Sequence, residues 1–345
     1  MAKLRVKMVL KNRKMKWFIW VGLIFLLLIA AWYSLFLLDF SSPNPPSFGV
    51  SFAAAQAEYL GLNPKETYLA ILDDLKVRNI RISVYWNRIE PRSKEEDDFT
   101  ELDWQVKEAE KRGVKLILAI GQRVPRWPEC HTPEWASKLP DKQFQGTLLN
   151  YLQKIVLRYR GSPALKIWQV ENEPFLDLFG DCPKHNKKLL LQEISLVRSL
   201  DGRHPIMVTD SGEFGSWLRT KTLSDYLGTS IYRVVAQSWF GYIKYGGFIP
   251  PAYYHLKARL VGKPIDQVIV SELQAEPWTR KELIKTPISE QYRSMNLVQL
   301  RKNVEFAKRT GFGEIYLWGA EWWYWMKKQG DPGFWEEAKR LFESA

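Results

Sequence analysis

The sequence predicts a (β/α)8 TIM barrel preceded by one N-terminal transmembrane helix. Three observations carry that reading. From residue 48 onward, short apolar runs of strand type alternate with amphipathic helical stretches, eight times in all. Eight such units fit a closed barrel, which uses about 250 residues as one unit. Ahead of them, residues 17–38 form an apolar run without a single charge, and a bilayer span takes about 20 residues.

The elements follow in order. Residues 1–16 are a basic tail with Lys3, Arg5, Lys7, Lys11, Arg13, Lys14 and Lys16 and no acid. Residues 17–38 are the transmembrane anchor, with Trp17, Trp20, Trp32 and Tyr33 toward its two ends, where interfacial aromatics belong. The positive-inside rule places the tail in the cytoplasm and the remainder outside, a single-pass arrangement. A cleaved signal peptide is the competing reading. Its apolar region is usually about 7–15 residues with a small-residue cleavage site, and this run is longer. Residues 39–47, rich in Pro and Ser, read as a short stiff linker. The catalytic-size domain is 48–345. Its strands are predicted over 48–52, 79–84, 115–120, 167–170, 206–209, 227–231, 267–270 and 314–318. Helices are predicted over 65–77, 102–112, 146–159, 187–199, 253–261, 290–310 and 332–343. The alternation implies parallel strands with right-handed crossovers. An open doubly wound sheet is the alternative, but the turn after the first strand lacks the Gly-rich pattern such sheets usually carry.

Composition limits the function classes. The net charge is +12, and seven of the basic residues sit in the first sixteen positions. The basic balance is therefore largely a property of the tail. No basic recognition helix or RNA-binding signature is present, so no nucleic-acid partner is expected. Four histidines, His131, His185, His204 and His255, show no metal-ligand spacing. Neither a metal nor a cofactor is expected.

Two glutamates stand where strands should end. Glu173 closes Ile167-Trp168-Gln169-Val170-Glu171-Asn172-Glu173-Pro174, and Glu272 follows Val268-Ile269-Val270-Ser271. In a parallel barrel both fall on the C-terminal face, where active sites sit. Two carboxylates converging there can break a glycosidic bond, one as acid/base and one as nucleophile. With Arg81 in Ile80-Arg81-Ile82, Tyr232 after the sixth strand and Trp318 after the eighth, the pattern resembles clan A of the glycoside hydrolases. That clan is the cellulase and β-galactosidase-like superfamily of retaining (β/α)8 glycosidases. The resemblance runs from about residue 48 to the end. It implies Glu173 as acid/base and Glu272 as nucleophile. It also implies Asn172 on the sugar 2-hydroxyl, Arg81 and Tyr232 holding Glu272, and Trp318 flooring a subsite. Two departures stand out: Ile120-Gly121-Gln122-Arg123 where many members carry His near the end of the third strand, and Gln274 where many carry Gly two residues after the nucleophile.

Other residues join the candidate site. Glu171 lies two positions before Glu173 and would share its side of a regular strand, as a structural residue or a tuner of its pKa. Glu276 is another nearby carboxylate. Asp210 and Glu213 after the fifth strand face the cleft, to bind hydroxyls or a cation, or simply to be solvated. Aromatics crowd the same loops: Trp86, Trp127, Trp135, Trp217, Trp239, Trp278, Trp322, Trp323 and Trp325. About half are assigned to packing. Trp86 and Trp278 are taken as sugar-stacking candidates. Cys130 and Cys182, the only two cysteines, follow adjacent strands, so an extracytoplasmic domain would pair them as a disulfide, with two free thiols as the alternative.

The expected function is a membrane-anchored, extracytoplasmic retaining glycoside hydrolase acting on an oligo- or polysaccharide. A transglycosidase on the same site and a silent glycan-binding barrel are the alternatives. A linker of nine residues spans at most about 30 Å and enters the barrel opposite the active site, so the cleft is expected to point away from the membrane.

Overall fold

The computed structural model describes residues 2–184, 186–237 and 241–343; His185 and Trp239 lie outside them. Eight parallel strands close a barrel: β1 Ser47–Phe52, β2 Asn79–Ser83, β3 Lys115–Ile120, β4 Leu165–Val170, β5 Ile206–Asp210, β6 Tyr226–Ile231, β7 Val268–Gln274 and β8 Glu314–Trp318. They neighbour one another in sequence order, and β8 returns to β1 from Glu314↔Ser47 to Trp318↔Ser51.

Strand alternation sorts the core into two layers. Ile117, Ile167, Met207, Ile269 and Tyr316 fill the barrel interior. Their neighbours, such as Leu116, Leu118, Trp168, Val208 and Val270, face the helices in the larger outer core. Gly49 is required where β1 passes Tyr316. A Cβ there would come within 2.5 Å of the Asn79 carbonyl and 2.7 Å of the Tyr316 ring.

Three features depart from the sequence expectation, while between β5 and β6, where no helix is predicted, residues 211–225 cross in turns. Asp210 fixes them, accepting from Trp217 N at 3.2 Å and Thr220 Oγ1 at 3.0 Å. The single helix expected over 290–310 is two, Ile288–Gln291 and Leu297–Lys308. Asn296 begins the second by accepting from Gln299 N at 3.0 Å, a side-chain cap that competes with a continuous helix. After β6 comes an unexpected antiparallel hairpin, Val234–Gln237 with Gly241–Lys244. Finally, β7 runs to Gln274 rather than stopping near 270. Its pairing slips on both sides: Val270 meets Thr229 but Glu272 meets Ser230, and Val270 meets Ile315 but Leu273 meets Leu317.

At the N-terminus, one helix covers Ala2–Ser34. The stretch Met15–Leu37 is long and apolar enough to cross a membrane, and none of its most apolar window is buried in the protein. The chain beyond it is not a free tether. Arg309 donates to the Phe36 and Leu38 carbonyls at 2.8 and 3.0 Å. Phe40 stacks on His255 with ring centroids 3.8 Å apart and planes 5° apart. Phe40 N also donates to Arg309 O. Residues 36–40 are therefore fastened to the barrel flank before the chain enters β1.

The Asn296 cap gives a stability prediction. Asn296→Ala should lower the unfolding free energy by about 1 kcal/mol, read from urea or thermal denaturation; an unchanged midpoint would remove the capping role.

Candidate active site

The site begins with a bulge. Ile269 points into the barrel, so strict alternation would turn Glu272 outward. The one-residue slip around Ser271 reverses the phase. Leu273 then joins the outer core, and Glu272 and Gln274 turn to the cleft side. There Glu272 Oε1 accepts from Arg81 Nη1 at 2.8 Å, and Oε2 accepts from the Tyr232 hydroxyl at 3.0 Å.

Arg81 is 1% exposed and reaches across four strands. Nε donates to Gln169 Oε1 at 2.7 Å, and Nη2 donates to Asn172 Oδ1 at 2.7 Å. Nη1 also meets Ser51 Oγ at 3.3 Å and the Ser271 carbonyl at 3.2 Å. Its donors are thus committed to protein partners, which makes it an orienting residue that holds Glu272 rather than a group free to contact sugar. Asn172 is fixed in turn. Its Oδ1 accepts from Gln169 Nε2 and Thr209 Oγ1, both at 3.2 Å, and its Nδ2 donates to Glu129 Oε2 at 3.1 Å.

Glu173 lies past the end of β4, with φ +42°. Its backbone N donates to Thr209 Oγ1 at 2.7 Å, and its Oε1 accepts from Ser230 Oγ at 2.8 Å. Burial, then the charges of Glu272 and Glu129, hold this carboxyl well above the usual range. Burial also pushes Glu129 up to about 7, against the pull of Arg123. The Tyr232 phenol is raised well above its ordinary value, by burial and then by Glu272.

Glu171 does not share the side of Glu173. The strand has ended, Glu171 has φ +59°, and its carboxylate accepts from Gln122 N at 2.6 Å and Arg123 N at 2.8 Å. Gly121 makes room for it, since a Cβ there would lie 2.2 Å from Glu171 Oε1. Burial pushes Glu171 up to about 7 against those two N–H donors.

Both sequence departures have local explanations. Gln122 uses its backbone for Glu171 and its side chain for Thr132 Oγ1 at 3.0 Å. Gln274 Oε1 accepts from Arg233 N and Val234 N at 2.8 and 2.9 Å, and Nε2 donates to Val234 O at 2.6 Å. It clamps the chain directly after Tyr232. Glu276 pairs with Arg126, which also pairs with Glu321 at 3.0 Å and lies 3.9 Å over the Trp318 ring. One face of Trp318 is therefore taken by a cation, and Trp318 is 8% exposed.

Trp86 is corrected. It is wholly buried, stacked on Tyr151 at 5.3 Å, with its Nε1 donating to Glu90 Oε2 at 2.7 Å. The chain forms a helical turn, Trp86–Ile89, directly after β2, and this carries the indole into the outer core. Trp217, Trp322 and Trp323 are also fully buried. Trp278 packs edge-on against Tyr232 at 5.2 Å and meets Phe179 at 5.5 Å, and Phe179 meets the exposed Trp127 at 6.0 Å. These rings form an aromatic rim beside Glu272. Asp210 and Glu213 do not offer free carboxylates to the cleft. Asp210 serves its turn, and Glu213 accepts from Tyr232 N at 2.8 Å and the Tyr254 hydroxyl at 2.6 Å.

Sequence reasoning missed Glu129, Ser230, Gln169 and Arg126. Only Glu129 carried a signal: it adjoins Cys130, which forms a disulfide with Cys182, their Cα atoms 5.3 Å apart. The bridge ties the Glu129 loop to the loop after Glu173. Arg123 reinforces it, donating to the Leu176 and Phe179 carbonyls at 2.8 and 2.7 Å and to Glu129 at 3.2 Å.

Comparison with known proteins adds a family. The family described as Cellulase (glycosyl hydrolase family 5) matches residues 43–245. Mannan endo-1,4-beta-mannosidase A of Podospora anserina is 32% identical over 126 residues, 32% of this chain and 31% of that protein. Probable mannan endo-1,4-beta-mannosidase A-1 of Aspergillus terreus is 28% identical over 130 residues, 34% of this chain and 31% of that protein. The matches thus span about a third of these relatives' length. Among solved structures, native xylanase 10B from Thermotoga maritima aligns with a TM-score of 0.54 at 14% identity, covering 87% of this chain and 97% of that one. A GH5_18 protein from Bifidobacterium longum subsp. longum, in complex with Manβ1-4GlcNAc, aligns with a TM-score of 0.56 at 13% identity, covering 79% and 68%. At that identity the structural matches speak to the fold.

Two predictions follow from this geometry. Above the ordinary glutamate range, folded Glu173 keeps a proton that the unfolded chain has released, so its contribution to stability falls as pH rises until the folded carboxyl itself ionises. Glu173→Gln should therefore gain stability relative to the parent as pH rises above the ordinary glutamate range, by up to about 1.4 kcal/mol per pH unit. Parallel curves for the two proteins would contradict a raised Glu173. Replacing both Cys130 and Cys182 with Ser should cost about 2–4 kcal/mol, measured by denaturant titration under non-reducing conditions.

Proposed function

The chain belongs to glycosyl hydrolase family 5, and from that premise we propose that it is a retaining glycoside hydrolase. The observation that carries the proposal is the unlike treatment of two carboxylates. Glu272 receives an N–H from Arg81 and an O–H from Tyr232, donors suited to an ionised nucleophile. Glu173 is buried beside that charge and kept protonated, as a general acid must be. Glu173 would protonate the leaving oxygen while Glu272 attacks the anomeric carbon and forms a glycosyl-enzyme. Glu173, now ionised, would take a proton from the water that releases the sugar. Asn172, held by four partners, would meet the 2-hydroxyl. Trp278 and Trp318 supply the ring surfaces, on which sugar faces stack.

The substrate proposed is a β-linked mannan-type glycan, because the curated relatives are named as mannan endo-1,4-beta-mannosidases. The domain arrangement proposed is a cytoplasmic tail over 1–16, an anchor over 17–38, a connection over 39–47 and the barrel over 48–345. The helix Met15–Leu37 supports it by length and composition. The disulfide supports an extracytoplasmic barrel, since such bonds persist in oxidising compartments.

The test is turnover of β-1,4-mannan, xylan and cellulose oligosaccharides by the full chain in detergent, with anomeric NMR on the first product. The expected outcome is mannan cleavage with retention. Glu173→Gln should lower kcat by about 10²–10⁴-fold, and Glu272→Gln should abolish the glycosyl-enzyme trapped by a fluorosugar. An inverted product would overturn the two-step mechanism, and glycan binding without turnover on every substrate would overturn hydrolysis.

A further inference from the structure

The loops after β5 and β6 carry an apolar patch that the cleft chemistry does not use. Phe214 and Leu218 are each 61% exposed, and Phe248 is 62% exposed. The Phe214 ring meets Tyr245 at 6.2 Å, and Phe248 N bonds the Tyr245 carbonyl at 2.9 Å, so two loops form one surface. Basic residues stand among them: Arg219 and Lys244 are exposed and Lys221 is half-buried. No acid lies between Phe214 and Ser224. Large exposed aromatics mixed with Lys and Arg suit the headgroup zone of an anionic bilayer.

The N-terminal helix reaches this surface. Trp32 Nε1 donates to the Phe248 carbonyl at 2.7 Å, and its ring meets Tyr253 at 6.0 Å. Trp32 lies in the last turns of the apolar stretch Met15–Leu37, the level at which Trp settles at a membrane interface. Phe248 shares that level because it is bonded to Trp32. The helix Pro251–Leu260 leads away from the C-terminal ends of the strands, so Phe248, just before its start, lies on the cleft side of the barrel. Phe40, later in the chain, packs farther along that helix at His255. The chain thus passes from the cleft side of the flank toward the opposite side before it enters β1.

We propose that the barrel rests on the bilayer by its β5–β6 rim. Phe214, Leu218 and Phe248 enter the interface, and Arg219, Lys221 and Lys244 meet anionic headgroups. The proposal rests on the reading that the N-terminal helix spans the membrane. It replaces the expectation of a cleft pointing away from the membrane: the cleft opens along the membrane surface. Glu213, adjacent to Phe214, accepts from the backbone N of Tyr232, whose hydroxyl bonds Glu272. The membrane-facing rim and the candidate nucleophile are therefore joined by one short chain of hydrogen bonds.

The test uses the full chain in phosphatidylcholine–phosphatidylserine vesicles containing brominated lipid. A fluorophore is placed in turn at Leu27→Cys in the helix, at Leu218→Cys and Phe248→Cys in the patch, and at Leu157→Cys on the helix Asp141–Tyr159, an exposed site away from the patch. The proposal expects quenching at 27, 218 and 248 at least about twofold greater than at 157. Quenching at 27 with 218 and 248 no more quenched than 157 would overturn rim docking while keeping the anchor. Absence of quenching at 27 would overturn the anchor, and the proposal with it. Equal quenching at all four sites would show general adsorption and also overturn it.

Discussion

The site depends on one buried cation. Arg81 projects into a space with almost no access to water, where an unpaired charge costs several kcal/mol. The surrounding strands meet that cost with Ser51 from β1, Gln169 from β4, the Ser271 carbonyl and Glu272 from β7, and Asn172 beyond β4. Each partner is therefore held by the electrostatic need of the guanidinium as well as by its own strand. The nucleophile candidate and the 2-hydroxyl candidate take their positions from the same group. A Lys would supply a point charge without the planar fork that spans these acceptors.

Around that cation the carboxylates are arranged by contrast. Glu272 has a cation and a phenol, whereas Glu173 has a single hydroxyl and like charges nearby. Glu129 sits between the two systems, bonded to Asn172 and to Arg123. The disulfide and the Arg123 donors keep its loop against the loop that follows Glu173. A covalent link at the rim thus supports an electrostatic arrangement at the centre. Arg126 performs a similar service on the β7–β8 side, where one guanidinium is shared by Glu276 and Glu321 and covers a face of Trp318.

Much of this was legible in the sequence. The eight strands fall where apolar runs between turn residues place them, since periodicity is a local property and backbone hydrogen bonding allows few alternatives. Barrel order brought Cys130 and Cys182 onto neighbouring loops, where an oxidising compartment would pair them, and the structure joins them. Arg81, Tyr232 and Glu272 were grouped through the family pattern, and the strands bring them within hydrogen-bonding distance. The charge-free run and basic tail marked out the N-terminal helix.

The rest required the tertiary structure, for identifiable reasons. Strict alternation would have turned Glu272 away; the register slip at Ser271 decides its direction, and a slip is defined only by the strands on either side. Trp86 and Trp278 look alike as loop tryptophans, yet one is sealed beneath Tyr151 and the other stands against Tyr232. Glu129 gains its meaning from Asn172 and Arg123, and the path from Trp32 to Phe40 from residues more than two hundred positions away. The sequence by itself determined the eight barrel strands, most of the helices between them and the membrane-length apolar run, because those depend on neighbours along the chain. Which carboxyl is buried among like charges, which ring is exposed and which side of the barrel meets the N-terminal helix depend on neighbours in space, and only the folded structure decides them.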